Sequence, residues 1–347
     1  MDKMKAAVMT APDQMEIREM EIPRYGDDEV LVQVKSVGVC GSDIHFFHHG
    51  KIGMYTVEPP YVLGHECAGV VVAVGKRVKK LKINDRVAVE PGLYCGTCEY
   101  CRRGRYNLCE NMAFLATPPV PGALCEYIAV REDLAYVLPD SISFDEAAMI
   151  EPLSVGIHSM NRLNIRAGER VMIMGAGPVG LAALIAAQYY GAKDVVEADI
   201  MPYRLEFAKR LGAVLTINPS EPDGRKALQE LAVEGSVHAG LEMSGSPDGL
   251  NQLLGTVKKG GRIAVVAVPG SLHASVNVQH IVDKELTLYG IFRYINTYPT
   301  GKSIVEAMQP LVRQLVTHRF ALDQAQEAFE FARLRKNECV KVVIQPT

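Results

Sequence analysis

The chain has 347 residues, of which 48% are hydrophobic and 22% are charged, and its formal net charge is −3. This length predicts about two globular domains, and the small charge without a basic run argues against binding to nucleic acid or to a membrane surface. The chain opens with MDKMKAAVMTAPDQMEI, which contains no long apolar segment of a secretory signal. We therefore expect a cytoplasmic protein in a reducing environment.

The first 150 residues contain short, valine-rich runs that are separated by glycine and proline. Residues 30–34 and 68–74 are two examples. Runs of this kind are typical of β-strands. The pattern predicts an irregular, β-rich domain over residues 1–152.

Within this region, Cys40 is followed later by the tripeptide Gly64-His65-Glu66. A cysteine, a histidine and one acid form a mixed set of three metal ligands, which leaves a fourth position open for substrate, as in catalytic zinc sites. Each residue also has an ordinary interpretation. Cys40 could be a core thiol, His65 a buried histidine with a hydrogen-bond partner, and Glu66 a surface charge.

Four cysteines follow with the spacing C-x2-C-x2-C-x7-C, namely Cys95, Cys98, Cys101 and Cys109. Such dense thiolates can close a tetrahedral shell around Zn²⁺, and four thiolates leave no open position, so we expect a structural ion. The alternative is a pair of disulfides, which a reducing compartment disfavours. The isolated Cys67, Cys125 and Cys339 are expected to be small core residues.

From residue 170 onward, short apolar strands alternate with helical patterns. Strands are predicted at residues 171–174, 195–199, 214–217, 239–243 and 262–267, with helices at 181–190 and 202–211. This alternation predicts βαβ units and a parallel sheet, hence an α/β fold. Residues 171–192 carry no charge and are long enough to span a bilayer. The glycines and proline near their start favour a strand, a turn and a buried helix instead.

That turn contains a glycine fingerprint, Gly-x-Gly-x-x-Gly, between a predicted strand and a predicted helix. Glycines allow a tight turn and close approach to a pyrophosphate, and the helix N-terminus offers free N–H groups. The segment predicted to contact a dinucleotide comprises Gly175, Gly177, Pro178, Val179 and Gly180.

Cofactor choice is predicted from Asp199, 19 residues after Gly180. An acid there can accept hydrogen bonds from both ribose hydroxyls and would repel a 2′-phosphate, so NAD is favoured over NADP. Ile200 offers no cation for a phosphate. Arg204 could contact the cofactor, although a solvated helix position is the simpler interpretation.

The tail from about residue 291 returns to mixed segments, with a helix predicted at 322–334 and a strand at 340–344. We expect it to rejoin the first domain. The predicted organisation is a catalytic domain over 1–152, a nucleotide domain over 153–288, and a return segment over 289–347.

Several segments resemble the zinc-dependent medium-chain dehydrogenases over essentially the whole chain, and within them the sorbitol (polyol) dehydrogenases. Besides the motifs above, the resemblance rests on Asn84-Asp85-Arg86 and on residues 116–119, 151–158, 292–299 and 315–320. The family has a Rossmann domain and a GroES-like catalytic domain with a zinc lobe. Its members oxidise alcohols with NAD⁺, so the resemblance implies NAD, one catalytic and one structural zinc ion, a polyol substrate and a homotetramer.

The resemblance also implies roles for individual residues. Cys40, His65 and Glu66 match the catalytic zinc ligands, Glu151 matches a nearby acid that reaches the metal directly or through water, and Asp43 matches an acid that orients the histidine. Ser42 and His45 match groups that carry the proton outward. Positions near the polyol or nicotinamide are matched by Phe114, Thr117, Arg293 and Tyr294.

Two features differ from the animal sorbitol dehydrogenases. This chain has a complete four-cysteine lobe, and Phe46 stands where those enzymes have a tyrosine. Other substrates for the same chemistry are L-threonine, xylitol, butane-2,3-diol or a sugar-alcohol phosphate. A non-catalytic dinucleotide-binding protein is the alternative of a different class, because the fold alone does not define a function.

Overall fold

The computed structural model describes residues 3–267 and 273–347. The chain forms two compact units. Unit 1 comprises Met1–Glu151 and Tyr298–Thr347, and unit 2 comprises Pro152–Thr297.

The first part of unit 1 consists mainly of strands. They are β1 (Lys3–Ala11), β2 (Gln14–Glu21), β3 (Glu29–Gly38), β4 (Lys51–Ile52), β5 (Tyr55–Thr56), β6 (Tyr61–Val62), β7 (Glu66–Val74), β8 (Arg86–Val89), β9 (Gly92–Leu93), β10 (Ala113–Phe114), β11 (Tyr127–Arg131) and β12 (Ala135–Val137). The helices are α1 (Gly41–His49), α2 (Glu99–Arg102) and α3 (Phe144–Ala148).

Helix α4 (Ile150–Leu163) begins in unit 1 and continues into unit 2. Strands and helices alternate after it: β13 (Arg170–Met174), α5 (Pro178–Tyr189), β14 (Asp194–Ala198), α6 (Pro202–Arg210), β15 (Leu215–Ile217), α7 (Pro222–Glu234), β16 (Val237–Glu242), α8 (Pro247–Thr256), β17 (Arg262–Val265), α9 (Val278–Asp283) and β18 (Thr287–Gly290). The C-terminal part of unit 1 adds α10 (Tyr298–Ala307), α11 (Gln309–Leu315), β19 (Val316–Ala321), α12 (Ala325–Leu334) and β20 (Lys341–Gln345).

The largest sheet of unit 1 is built around β3. Strand β3 pairs antiparallel with β7, β11 and β20, and β20 pairs parallel with β19. Alternate residues of β3, such as Val30, Val32 and Val34, are buried in the core, as the period-2 geometry of a strand requires. A strand from the end of unit 1 thus lies beside one from its beginning.

Unit 2 is a six-stranded parallel sheet with the order β15-β14-β13-β16-β17-β18. This is the order of a doubly wound dinucleotide-binding sheet, and the predicted strands at 171–174, 195–199, 214–217, 239–243 and 262–267 are confirmed. Residues 171–192 fold as β13, a turn and α5, whose residues 180–187 are buried. Among the described residues, no helix is long and apolar enough to cross a membrane.

Candidate functional site

The three donors predicted for a catalytic metal lie together in unit 1. Cys40 is the N-cap of α1, directly after β3, and His65 and Glu66 stand at the start of β7. One ligand atom from each of the three residues lies within 4.8 Å of the others. The pairing of β3 with β7 brings together residues that are far apart in the sequence.

Asp43 holds this group in place through hydrogen bonds. Its Oδ1 lies 3.3 Å from Nδ1 of His65 and accepts the Gly64 N–H at 3.1 Å, while its Oδ2 accepts the Cys40 N–H at 3.1 Å. A neutral histidine that donates Nδ1–H to a carboxylate keeps Nε2 unprotonated and able to bind a metal, as in many metal sites. Asp43 therefore fixes the ring of one donor and the backbone of another.

The electrostatics of the group favour a cation. Burial lowers the pKa of His65, but the Asp43 carboxylate and the Cys40 sulfur outweigh it and hold that pKa well above 6.5. The surroundings therefore stabilise a positive charge on the buried His65 side chain. A sulfur, an imidazole and a carboxylate are also the donors that Zn²⁺ takes in proteins, so the residues present fit a zinc ion.

Glu66 is fully buried, so its interpretation as a surface charge is wrong. Both of its carboxylate oxygens accept hydrogen bonds from Nζ of Lys341 on β20, at 2.7 and 2.8 Å. Burial alone would lower the pKa of Lys341, but Glu66 and Cys40 raise it by more. The pKa is therefore raised overall, and the side chain keeps its positive charge. Lys341 is 275 positions away from Glu66, and no local sequence pattern predicts this contact.

The other predicted residues of unit 1 surround the donor group to different degrees. The Phe114 ring lies 5.5 Å from that of His65, and Thr117 donates its N–H to the Phe114 carbonyl. Glu151 is buried at the start of α4 and acts electrostatically on Lys341. Ser42 and His45 lie on α1, where His45 is exposed and contacts His49.

The four cysteines of the lobe also form one cluster, with their sulfurs within 4.8 Å of one another. Sγ of Cys95 and of Cys101 are 3.9 Å apart. This separation far exceeds a disulfide bond of about 2.05 Å and is close to the roughly 3.8 Å between two thiolates on one tetrahedral zinc. All eight cysteines are free, so the two-disulfide alternative is wrong, while Cys67, Cys125 and Cys339 are core residues as predicted.

Hydrogen bonds prepare part of this cluster for metal binding. The hydroxyl and backbone of Thr97 and the backbone N–H of Cys98 lower the pKa of Cys95 to about 5. Backbone hydrogen bonds near Cys101 and Glu110 lower the pKa of Cys98 as well. Thiolates are the form of cysteine that binds metal, so the lobe fits a closed zinc site.

In unit 2, the glycine turn joins β13 to α5. Gly175 has φ of 111°, and a Cβ there would meet the Ser244 backbone nitrogen at 2.7 Å. A Cβ on Gly180 would lie 1.8 Å from the Gly175 carbonyl oxygen. Gly177, Pro178 and Val179 lie between them, with Pro178 as the first residue of α5. No side chain caps the N-terminus of α5, which leaves its N–H groups available for a pyrophosphate.

Asp199 directly follows β14 and is tied to this turn. Its Oδ2 accepts the Ala176 N–H and its Oδ1 accepts the Met201 N–H, both at 2.8 Å. Nη1 of Arg204 lies 3.6 Å from Oδ2, and the Arg204 side chain is only 21% exposed. Arg204 is therefore paired with Asp199, contrary to its interpretation as a solvated residue.

Arg293 and Tyr294 lie in unit 2, after β18. The Arg293 guanidinium lies over the Phe292 ring at 4.9 Å, and Tyr294 is buried. Arg293 has φ of 54°, which is uncommon for a residue other than glycine.

Two family models match the chain. Residues 26–140 match the alcohol dehydrogenase GroES-like domain, and residues 178–307 match the zinc-binding dehydrogenase domain. Among curated relatives, the sorbitol dehydrogenase of Bacillus subtilis is 46% identical over 343 residues, which are 99% of this chain and 97% of that protein.

Solved structures agree over the whole chain. An Escherichia coli oxidoreductase of unknown specificity has a TM-score of 0.94 at 36% identity, and an Escherichia coli alcohol dehydrogenase in complex with NADH has a TM-score of 0.90 at 30% identity. Each alignment covers 100% of both chains. The chain therefore belongs to the zinc-dependent medium-chain dehydrogenase family. The predicted fold class and the resemblance to the sorbitol dehydrogenase branch are confirmed.

Proposed function

We propose that this protein is a zinc-dependent polyol dehydrogenase that oxidises a secondary hydroxyl of a sorbitol- or xylitol-type substrate to a ketose with NAD⁺. The observation that carries the proposal is the clustered donor set of Cys40, His65 and Glu66 in a chain 46% identical to a sorbitol dehydrogenase. Three protein donors leave one coordination position for a substrate hydroxyl. A bound zinc ion supplies Lewis acidity there, and NAD⁺ accepts the hydride.

The residues of unit 1 have distinct roles in this proposal. Asp43 fixes the His65 ring and leaves Nε2 free to bind a zinc ion, which Glu151 would reach directly or through water. Phe114 packs against the His65 ring. Ser42 and His45 on α1 carry the substrate proton outward, and Thr117 contacts the polyol together with Phe114.

Cys95, Cys98, Cys101 and Cys109 would hold the second zinc ion, which would stabilise the lobe. In unit 2, the turn from Gly175 to Gly180 receives the pyrophosphate, and Asp199 selects NAD⁺. Arg204 supports that contact by holding Asp199, and Arg293 and Tyr294 contact the polyol or the nicotinamide. Unit 1 then forms the catalytic domain and unit 2 the NAD domain, and unit 2 ends at Thr297 rather than at the predicted residue 288.

The proposal includes a homotetramer in the cytoplasm, as the family resemblance implies. Size-exclusion chromatography with light scattering measures the oligomeric state of the purified protein, and a mass of four chains is expected. Fractionation of cells that express the protein measures its location.

The main test measures zinc content and NAD⁺-dependent oxidation of sorbitol, xylitol, ribitol, galactitol, L-threonine and butane-2,3-diol. We expect two zinc ions per chain and the highest kcat/KM for a polyol. His65→Ala should lose one zinc ion and nearly all turnover while it still binds NADH, because the dinucleotide turn is in the other unit. His318→Ala, which changes a half-buried histidine on β19, is the matched control and should keep both zinc ions and its turnover.

Two other outcomes would replace the proposed function. A higher kcat/KM for L-threonine or butane-2,3-diol would replace the polyol assignment. One zinc ion per chain, NADH binding and no oxidation of any alcohol would indicate the dinucleotide-binding protein without catalysis.

A further inference from the structure

Helix α1 carries three histidines near its C-terminal end, at positions 45, 48 and 49. His45 and His49 are four residues apart and therefore lie on the same face of the helix. Their ring centres are 4.5 Å apart, the rings are tilted by 54°, and both side chains are exposed. Neither histidine is a member of the group formed by Cys40, His65 and Glu66.

This geometry suits coordination of one metal ion by two imidazoles. A divalent ion about 2.0–2.1 Å from one nitrogen of each ring requires the two nitrogens to be roughly 3 Å apart. Rings whose centres are 4.5 Å apart can meet this requirement through small rotations of exposed side chains. Imidazole is a preferred ligand of Zn²⁺, Ni²⁺ and Cu²⁺.

The neighbouring groups support a cation at this place. His48 contacts the His49 ring at 4.4 Å, and Nδ1 of His48 lies 2.8 and 2.9 Å from the two carboxylate oxygens of Asp13. Asp13 thus places a negative charge behind a third imidazole, as carboxylates do behind metal-binding histidines. Arg333 is also close to this carboxylate, with its Nη2 4.0 Å from Oδ1 of Asp13.

The protonation state of His45 also suits a ligand. Partial burial lowers the pKa of His45, and the nearby His49 and His48 lower it further because adjacent imidazolium ions repel one another. His45 is therefore neutral at pH 7, the form of imidazole that coordinates a metal.

We propose that His45 and His49 form an exposed transition-metal site on α1, at which a divalent ion such as Ni²⁺ inhibits the enzyme by occupying His45. The inhibitory part rests on the proposed function, because it assigns His45 to proton transfer. The binding part does not, since it requires only the two side chains.

The binding test is isothermal titration of the zinc-loaded protein with Ni²⁺ at pH 7.5, without substrate. Wild type should bind one Ni²⁺ per chain without release of zinc, and His49→Asn and His45→Asn should each weaken this binding by about tenfold or more. His273→Asn, which changes an exposed histidine of unit 2, should bind as wild type does. Equal Ni²⁺ affinity in wild type and His49→Asn would overturn the site.

The inhibition test uses His49→Asn, because this residue has no proposed role in catalysis. Without Ni²⁺, the variant should oxidise the polyol as fast as wild type. With Ni²⁺, wild type should lose activity at the concentration that fills the site, while the variant should need at least tenfold more. Equal inhibition of both proteins would overturn the inhibitory role. Absence of polyol oxidation in wild type would count against the proposed function alone, because the titration needs no turnover.

Discussion

Lys341 donates hydrogen bonds to both carboxylate oxygens of Glu66, and neither side chain is more than 2% exposed. The ammonium also contacts the Val39 carbonyl oxygen at 3.2 Å. A buried charge of this kind is tolerated only when it is paired, because removal from water costs several kcal/mol for each ion. The Glu66 carboxylate is therefore stabilised by the Lys341 ammonium and is also one of the three residues that could bind a metal ion.

Lys341→Met should destabilise the zinc-free protein, because it leaves the Glu66 carboxylate buried without its partner. The expected loss in the free energy of unfolding is about 3–5 kcal/mol, measured by urea denaturation. Added Zn²⁺ should restore part of that loss by supplying a replacement cation. Lys302→Met, which changes a lysine on α10 with one long contact of 3.5 Å to the Val137 carbonyl, is the control and should change stability little. Equal losses in the two variants would contradict this account.

Cys95→Ala should remove the ion of the cysteine lobe and leave one zinc ion per chain. Because binding to a closed site contributes folding free energy, the melting temperature should fall by roughly 5–10 °C. Metal analysis and calorimetry measure the two effects. Cys67→Ala also removes a thiol, but from the core of unit 1, and should keep two zinc ions. A Cys95→Ala protein with two zinc ions and unchanged melting would refute a structural zinc in this lobe.

Asp199→Ala combined with Ile200→Arg should shift the ratio of kcat/KM values toward NADP⁺ by about 100-fold or more. The variant lacks the carboxylate that would repel a 2′-phosphate. Position 200, where the Ile200 side chain is 66% exposed, has room for a guanidinium. Steady-state kinetics with both cofactors measure the ratio. Asp194→Ala removes an acid at the other end of β14 and should leave the preference for NAD⁺ intact. A wild-type preference for NADP⁺ would be incompatible with the role given to Asp199.

Arg293→Ala should reduce kcat/KM for sorbitol or xylitol by about 100-fold while it changes that for propan-2-ol much less. A guanidinium donates several hydrogen bonds in a fixed fork to neighbouring hydroxyls, which a simple alcohol lacks. Arg293→Lys keeps the charge but not the forked guanidinium, so its kcat/KM for polyols should lie between those of wild type and Arg293→Ala. Tyr294→Phe should be milder, because it keeps the ring. Equal losses for polyols and propan-2-ol would make Arg293 a structural or cofactor residue.

Glu197→Gln should stabilise the protein at neutral pH. Glu197 is fully buried in β14, and neither carboxylate oxygen has a hydrogen-bond partner among the described residues. Burial and the nearby Asp199 hold the pKa of Glu197 well above 4.5. The folded state thus keeps a proton that the unfolded state loses, so wild-type stability falls as pH rises above the unfolded pKa.

The stability difference between Glu197→Gln and wild type should therefore grow by up to about 1.4 kcal/mol per pH unit above that pKa, and it should shrink at pH 4. Urea denaturation from pH 4 to pH 8 measures it. Glu206→Gln, on the neighbouring α6 and exposed, should show no such growth. A constant difference across this range would mean that Glu197 is ionised in the folded protein.

Local patterns in the sequence were sufficient for the parallel sheet and for the cysteine cluster of the lobe. The strand–turn–helix around Gly175 is encoded within a few residues, and the lobe cysteines within fifteen, so spacing alone carries the information. The GroES-like nature of unit 1 came from the family resemblance, because its strands are short and irregular.

Contacts between distant residues could not be predicted in the same way. Lys341 reaches Glu66 only because β20 pairs with β3, and nothing near residue 341 signals a buried cation. Glu197 lies within a mostly apolar strand, and nothing in its neighbouring residues signals a buried acid. The pair His45 and His49 has the spacing of one helix face, but only the structure shows that the rings are in contact and exposed.

The position of β20 has a consequence for biosynthesis. Unit 2 is encoded between the two parts of unit 1, so a ribosome completes Cys40, His65 and Glu66 more than 270 codons before it adds Lys341. During that interval the Glu66 carboxylate has no ammonium partner, and the neighbour that β20 provides for β3 is missing. Until the C-terminal strand has emerged or a metal ion has bound, the nascent chain lacks a cation that offsets the desolvation of this acid.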